Sequence, residues 1–91
     1  MSNALRRIAS LKNLGPKSAE QIVAVGIDGP DEIHELGTAE VFRRVKSRFP
    51  DSTSFNLLWA LQGALMEVHS HDVPDEIKQE ILAEVGSLKN R

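Results

Sequence analysis

Leu11-Lys12-Asn13-Leu14-Gly15-Pro16-Lys17-Ser18-Ala19 joins two apolar helical segments through a turn, and its reading decides the fold. Asn13 is among the few non-glycine residues that tolerate a left-handed backbone, Gly15 tolerates any conformation, and Pro16 carries the fixed φ of a first helical residue. One helix should therefore stop near Asn13 and the next start at Pro16. The unpaired amides of that second start, around Lys17 to Ala19, point toward the turn at the positive end of the helix dipole. Lys12, Asn13, Gly15, Lys17, Ser18 and Ala19 are thus candidate contacts for a phosphate or a partner. Pro16 has no amide hydrogen, which leaves the cradle one donor short.

Working outward, almost every segment has helical period and none alternates strictly enough for a strand. The first helix is expected over about Asn3 to Lys12, with Leu5 and Ile8 inward. The second, about Pro16 to Val25, buries Ala19, Ile22 and Val23, with Gly26 as the terminating glycine and Ile27 packing back. Gly29-Pro30-Asp31-Glu32 opens a short third helix that Leu36-Gly37 closes. Thr38 is the expected N-cap of a fourth, which buries Val41, Phe42, Val45 and Phe49 and turns Arg43, Arg44, Lys46 and Arg48 outward. Ser54 is the expected cap of a fifth helix to His69, apolar on most of its circumference and hence central. Gly63 within it predicts a close crossing by another helix. A sixth begins near Pro74 with the stripe Ile77, Ile81, Val85, Leu88. The expected fold is all-α: one compact domain over residues 1–91, with five to six short helices and a helix-hairpin-helix-like unit.

A chain of 91 residues suits a single core, and with no cysteine its stability must come from packing, which fits an intracellular setting. No apolar run approaches a membrane span and no signal core follows Arg6 and Arg7, so a cytoplasmic location is expected. The net charge of −2 argues against a strong sequence-blind DNA binder. Its distribution says more. Residues 1 to 17 carry Arg6, Arg7, Lys12 and Lys17 without an acid, and residues 18 to 42 carry six acids without Lys or Arg. Arg43, Arg44, Lys46 and Arg48 then form a secondary basic patch.

The segment Leu11 to Ala19 resembles the helix-hairpin-helix motif at Leu11, Leu14, Gly15, Pro16, Lys17, Ser18 and Ala19. It departs at Lys12, in place of proline, and at Asn13, in place of the first glycine. More of the chain, about Leu11 to Val85, resembles the C-terminal domain of the TfoX (Sxy) family of competence regulators. The resemblance rests on Leu11 to Ala19, Val25-Gly26-Ile27, Glu32-Ile33 with Leu36-Gly37, and Asn56-Leu57-Leu58-Trp59-Ala60-Leu61-Gln62-Gly63-Ala64-Leu65. It implies a compact helical domain with a role in turning on DNA-uptake genes. Full-length members also carry an N-terminal domain.

His69, His71 and Asp72, with Glu67, are metal-ligand types, but they straddle a helix end and supply only two imidazoles. His69 is read instead as a dipole partner, Asp72 as a cap of the sixth helix, and no metal or cofactor is expected. No nucleophile elbow or phosphate-binding Walker loop is present, so an enzyme is not expected. The four aromatics, Phe42, Phe49, Phe55 and Trp59, are all assigned to the core. Two functions follow. The first is a non-enzymatic interaction module that contacts a transcription-associated protein; the alternative is direct, non-sequence-specific DNA binding through residues 12–19. A homodimer on exposed apolar faces is compatible with either, and a membrane role with neither.

Overall fold

Apolar residues at helical spacing produce six α-helices, four of them with proline or an acid in the first turn, in the computed structural model. It describes residues 3–89, and the side chains of residues 3–87. The helices are α1 (Asn3–Ala9), α2 (Pro16–Ala24), α3 (Pro30–Leu36), α4 (Thr38–Arg48), α5 (Phe55–Met66) and α6 (Asp75–Lys89), with a 3-10 turn at Ser70–Asp72. No strand occurs among the described residues. A radius of gyration of 12.1 Å matches the ~12 Å of a compact chain of this length.

The core is aliphatic. Ile8, Ile22, Ile27, Ile33, Val41, Val45, Leu58 and Leu61 are fully buried, one or two from each of α1 to α5 and from the α2–α3 loop. From α6, Ile81 is buried while Ile77 and Val85 pack partly against the core; the Leu88 side chain expected in the same stripe lies outside the described residues. Contacts run from α4 to α2, α3, α5 and α6, which puts α4 in the central position that the apolar circumference of α5 predicts for α5. The first and last residues of α5, Phe55 and Met66, stay exposed.

Several boundaries differ from expectation. α1 ends at Ala9 rather than Lys12, because the chain tightens there: the Leu11 amide reaches back only to the Ile8 carbonyl, and Ser10 Oγ donates to the Arg7 carbonyl. Thr38 is not a cap. Gly37, with φ +84°, is the single residue between α3 and α4, and the buried Thr38 hydroxyl donates across the core to Gln62 Oε1 at 2.7 Å. Ser54 occupies the cap position of α5 without a side-chain capping bond. α5 stops at Met66, not His69, because Glu67 turns left-handed (φ +59°) and the Glu67 and Val68 amides bond back to Ala64 and Gly63. Asp72 belongs to the 3-10 turn, three residues ahead of α6, and does not occupy its cap.

The close approach at Gly63 is real, but it is not made by a helix. A β-carbon built there would lie 2.5 Å from Asn13 Nδ2 and 2.7 Å from the Val68 carbonyl oxygen. Asn13, left-handed at φ +73°, points its amide into this gap. Its Nδ2 donates to the Val68 carbonyl at 2.8 Å and its Oδ1 accepts from the Ser70 amide at 3.2 Å, which ties the α1–α2 turn to the end of α5.

α4 is braced along its outer face by Glu40. Arg43 donates to it through Nε and Nη2 at 2.9 and 2.7 Å, and Arg44 through Nε at 2.7 Å. Hydrogen bonds from Arg43 and then Arg44, outweighing partial burial, lower the Glu40 carboxyl to about 2 from its usual 4.5. A carboxyl depressed on folding stabilises the fold above its unfolded value, and that contribution disappears as pH falls through the folded value. Solvent screening of these half-exposed arginines keeps it small.

Two outcomes are expected. Gly63→Ala should destabilise the domain by more than about 2 kcal/mol in urea unfolding, since the fixed Val68 carbonyl cannot yield; a loss near the ~0.5 kcal/mol typical of surface changes would contradict the packing described. Glu40→Gln should cost about 0.5 kcal/mol at pH 7 and nothing measurable near pH 2, by the same denaturation at both pH values.

Candidate functional site

The expected phosphate cradle is only partly available. Asn13 is half-buried and both polar atoms of its side chain are committed to the α5 end. The Ala19 amide donates to the Gly15 carbonyl at 3.0 Å and Ala19 itself is fully buried, so it offers no donor to a ligand. Gly15 is extended at the cap of α2 and makes no side-chain cap bond. Lys12 and Lys17 are exposed, and Ser18 is half-buried.

A different site stands beside that turn. Lys17, Ser18 and Gln21 of α2, with Ser52, Thr53 and Ser54 of the α4–α5 turn and Asn56 of α5, line an open cleft of about 240 Å³ that Asn13, Leu57 and Ala60 complete. The starts of α2 and α5 both open onto it. Gln21 Nε2 donates to Ser52 Oγ at 3.0 Å, pinning the two walls together. The α4–α5 turn is braced by its own bonds: the Lys46 ammonium donates to the carbonyls of Pro50 and Thr53, both at 2.8 Å, and the Thr53 hydroxyl donates to the Phe49 carbonyl at 2.7 Å. The fold thus brings Lys17, from the first basic segment, and Lys46, from the second, to one turn.

Of the residues lining this cleft, sequence reasoning names Lys17, Ser18 and Asn13 as candidates and does not name Gln21, Ser52, Ser54 or Asn56. Nothing in the sequence pairs residues 17–21 with 52–56. The polar turn Pro50 to Thr53 is a legible signal, but for a loop, not for a wall.

The secondary basic patch is less free than its charge count implies. Arg43 and Arg44 share Glu40, Lys46 is occupied by two carbonyls, and the Arg48 guanidinium lies 4.8 Å from the centroid of the Phe49 ring. Glu40, three residues before Arg43 and four before Arg44, lies at helical pairing distance from both.

Phe55 corrects the assignment of every aromatic to the core. Its side chain is 55% exposed, stacked on the buried Phe42 ring at 5.7 Å, and flanked by the exposed Ser54 and Asn56. As the first residue of α5 it falls before the helix enters the core, so the apolar period that assigns it inward does not apply. Trp59 is half-buried, with the Lys78 ammonium 5.4 Å from its ring centroid. His69 and His71 stack ring on ring at 5.4 Å, and among the described residues no group of three or more His, Asp or Glu is placed to hold a metal. Nor is any described helix long and apolar enough to cross a membrane.

The DNA transformation protein TfoX1 of Aliivibrio fischeri (strain ATCC 700601 / ES114) is 28% identical over 80 residues, which cover 88% of this chain and 38% of that protein. The chain therefore spans well under half the length of this curated relative. No solved structure matches it. The model of the TfoX C-terminal domain matches residues 4–85, from α1 to the later turns of α6, and the chain belongs to the TfoX C-terminal domain family.

Proposed function

We propose that this domain is a non-enzymatic interaction module in the regulation of competence, acting through contact with a transcription-associated protein. Its family and the name of its relative, a DNA transformation protein, supply the context. The observation that carries the contact is Phe55. A large aromatic ring held outward at 55% exposure, with a second ring fixed behind it and polar residues on both sides, has the anatomy of an interface anchor. Half-burying such a ring on a partner contributes on the order of 1 kcal/mol from area alone, and aromatic anchors exceed that value in well-packed interfaces. The net charge of −2 and the internal pairing of Arg43 and Arg44 support a protein face over a polyanion.

A second reading, direct DNA contact beside residues 12–19, is favoured by the exposure of Lys12 and Lys17, although Asn13 and the Ala19 amide no longer contribute.

Phe55→Glu tests the first reading. Glutamate suits the first turn of a helix, so the fold should survive with a modest drop in melting temperature from the lost ring stacking. Capture of transcription-associated proteins from a competent-cell extract should fall at least about tenfold, the loss of a hot-spot residue. No such protein recovered by the wild type, at a sensitivity that recovers a control complex, or undiminished capture by the variant, would refute it.

A further inference from the structure

We propose that the cleft between α2 and the α4–α5 turn seats a phosphate of a nucleic-acid backbone. The inference rests on the DNA-contact reading and moves that contact from the α1–α2 turn into the cleft. Four observations carry it. The cleft is open but its walls are joined by the bond from Gln21 to Ser52, and its α4–α5 turn is braced by Lys46. Positive charge reaches it from exposed Lys17, which lines it, while Lys46 is committed to the Pro50 and Thr53 carbonyls of the turn. Ser18, Ser52, Ser54 and Asn56 supply hydroxyl and amide groups that can donate to an oxyanion. No carboxylate is among the lining residues, although Glu20 and Asp51 are close in sequence.

Size and lining select the ligand. About 240 Å³ is room for several waters at ~30 Å³ each, and lies below the ~300 Å³ at which pockets for whole drug-sized molecules begin. No aromatic lines it, so it offers no platform on which a base could stack. A phosphate group fits both the size and the lining. Exposed Lys12 on the neighbouring turn offers an extended polyanion a further contact that a lone phosphate ion in the cleft does not need. With so few cations the binding is weak and strongly weakened by salt, in keeping with the acidic net charge.

The test is a fluorescence-anisotropy titration of a short random-sequence duplex at low salt, alongside inorganic phosphate followed by amide NMR shifts. Asn56→Glu places a carboxylate in the cleft at the first turn of α5, where a negative charge favours the helix, so the variant should fold. Gln79→Glu makes the same change of net charge on exposed α6, away from the cleft. Wild-type protein should bind the duplex. Asn56→Glu should weaken it at least about tenfold, Gln79→Glu less than about twofold, and Asn56→Gln should retain it. Equal losses for the two glutamate variants would overturn the cleft assignment and leave the DNA reading standing. Absence of duplex binding by the wild type would overturn both. Inorganic phosphate shifting the Lys17, Ser18 and Ser54 amides without any duplex binding would make this a small-anion site and overturn the nucleic-acid assignment.

Discussion

The tie from Asn13 to the far end of α5 is the interaction on which the rest of this fold depends. α1 is only seven residues long, too short to hold a helix without tertiary support. It gains that support by packing on α2, and the turn between them is fixed from outside by the Val68 carbonyl and the Ser70 amide. A left-handed asparagine costs roughly 1 kcal/mol in backbone energy, and two hydrogen bonds to otherwise unpaired backbone groups offset it. Gly63 is the condition for this arrangement, because any side chain there would occupy the space of the Asn13 amide. The left-handed Glu67 completes it by folding the chain back over Gly63.

That tie also redirects function. In the sequence, Asn13 reads as a departure from a glycine that would line a phosphate cradle. In the structure its amide is bonded to the Val68 carbonyl and the Ser70 amide, so the turn is a joint. The polar surface left for a ligand lies one step away, where α2 meets the α4–α5 turn. The two basic segments separate in the same way. Glu40 draws Arg43 and Arg44 into a helix brace, while Lys46 stabilises the turn that faces Lys17.

What was legible in the sequence follows from local physics. Pro16 and Pro30 begin α2 and α3 where their fixed φ requires, and the apolar spacing of Ile22, Val41, Val45, Leu58 and Leu61 places the core. Gly63 is legible as a point of close approach, but its partner is an amide 50 residues away that no period encodes. Phe55 and Thr38 mislead for a related reason: at a helix start, one residue decides between cap, core and surface, and tertiary contacts make that choice. The cleft was invisible because its walls come from opposite halves of the chain, joined by a single glutamine–serine bond.

Amide hydrogen exchange at Ser70 tests the role of Asn13 most directly. The Ser70 amide, bonded to Asn13 Oδ1, should be protected to nearly the level of the core amides of α5 in the native protein, and should lose that protection in Asn13→Ala while the Val68 amide, bonded to Gly63, keeps more of its own. Exchange of Ser70 at the rate of an open loop in the native protein would contradict the tie and the fold organised around it.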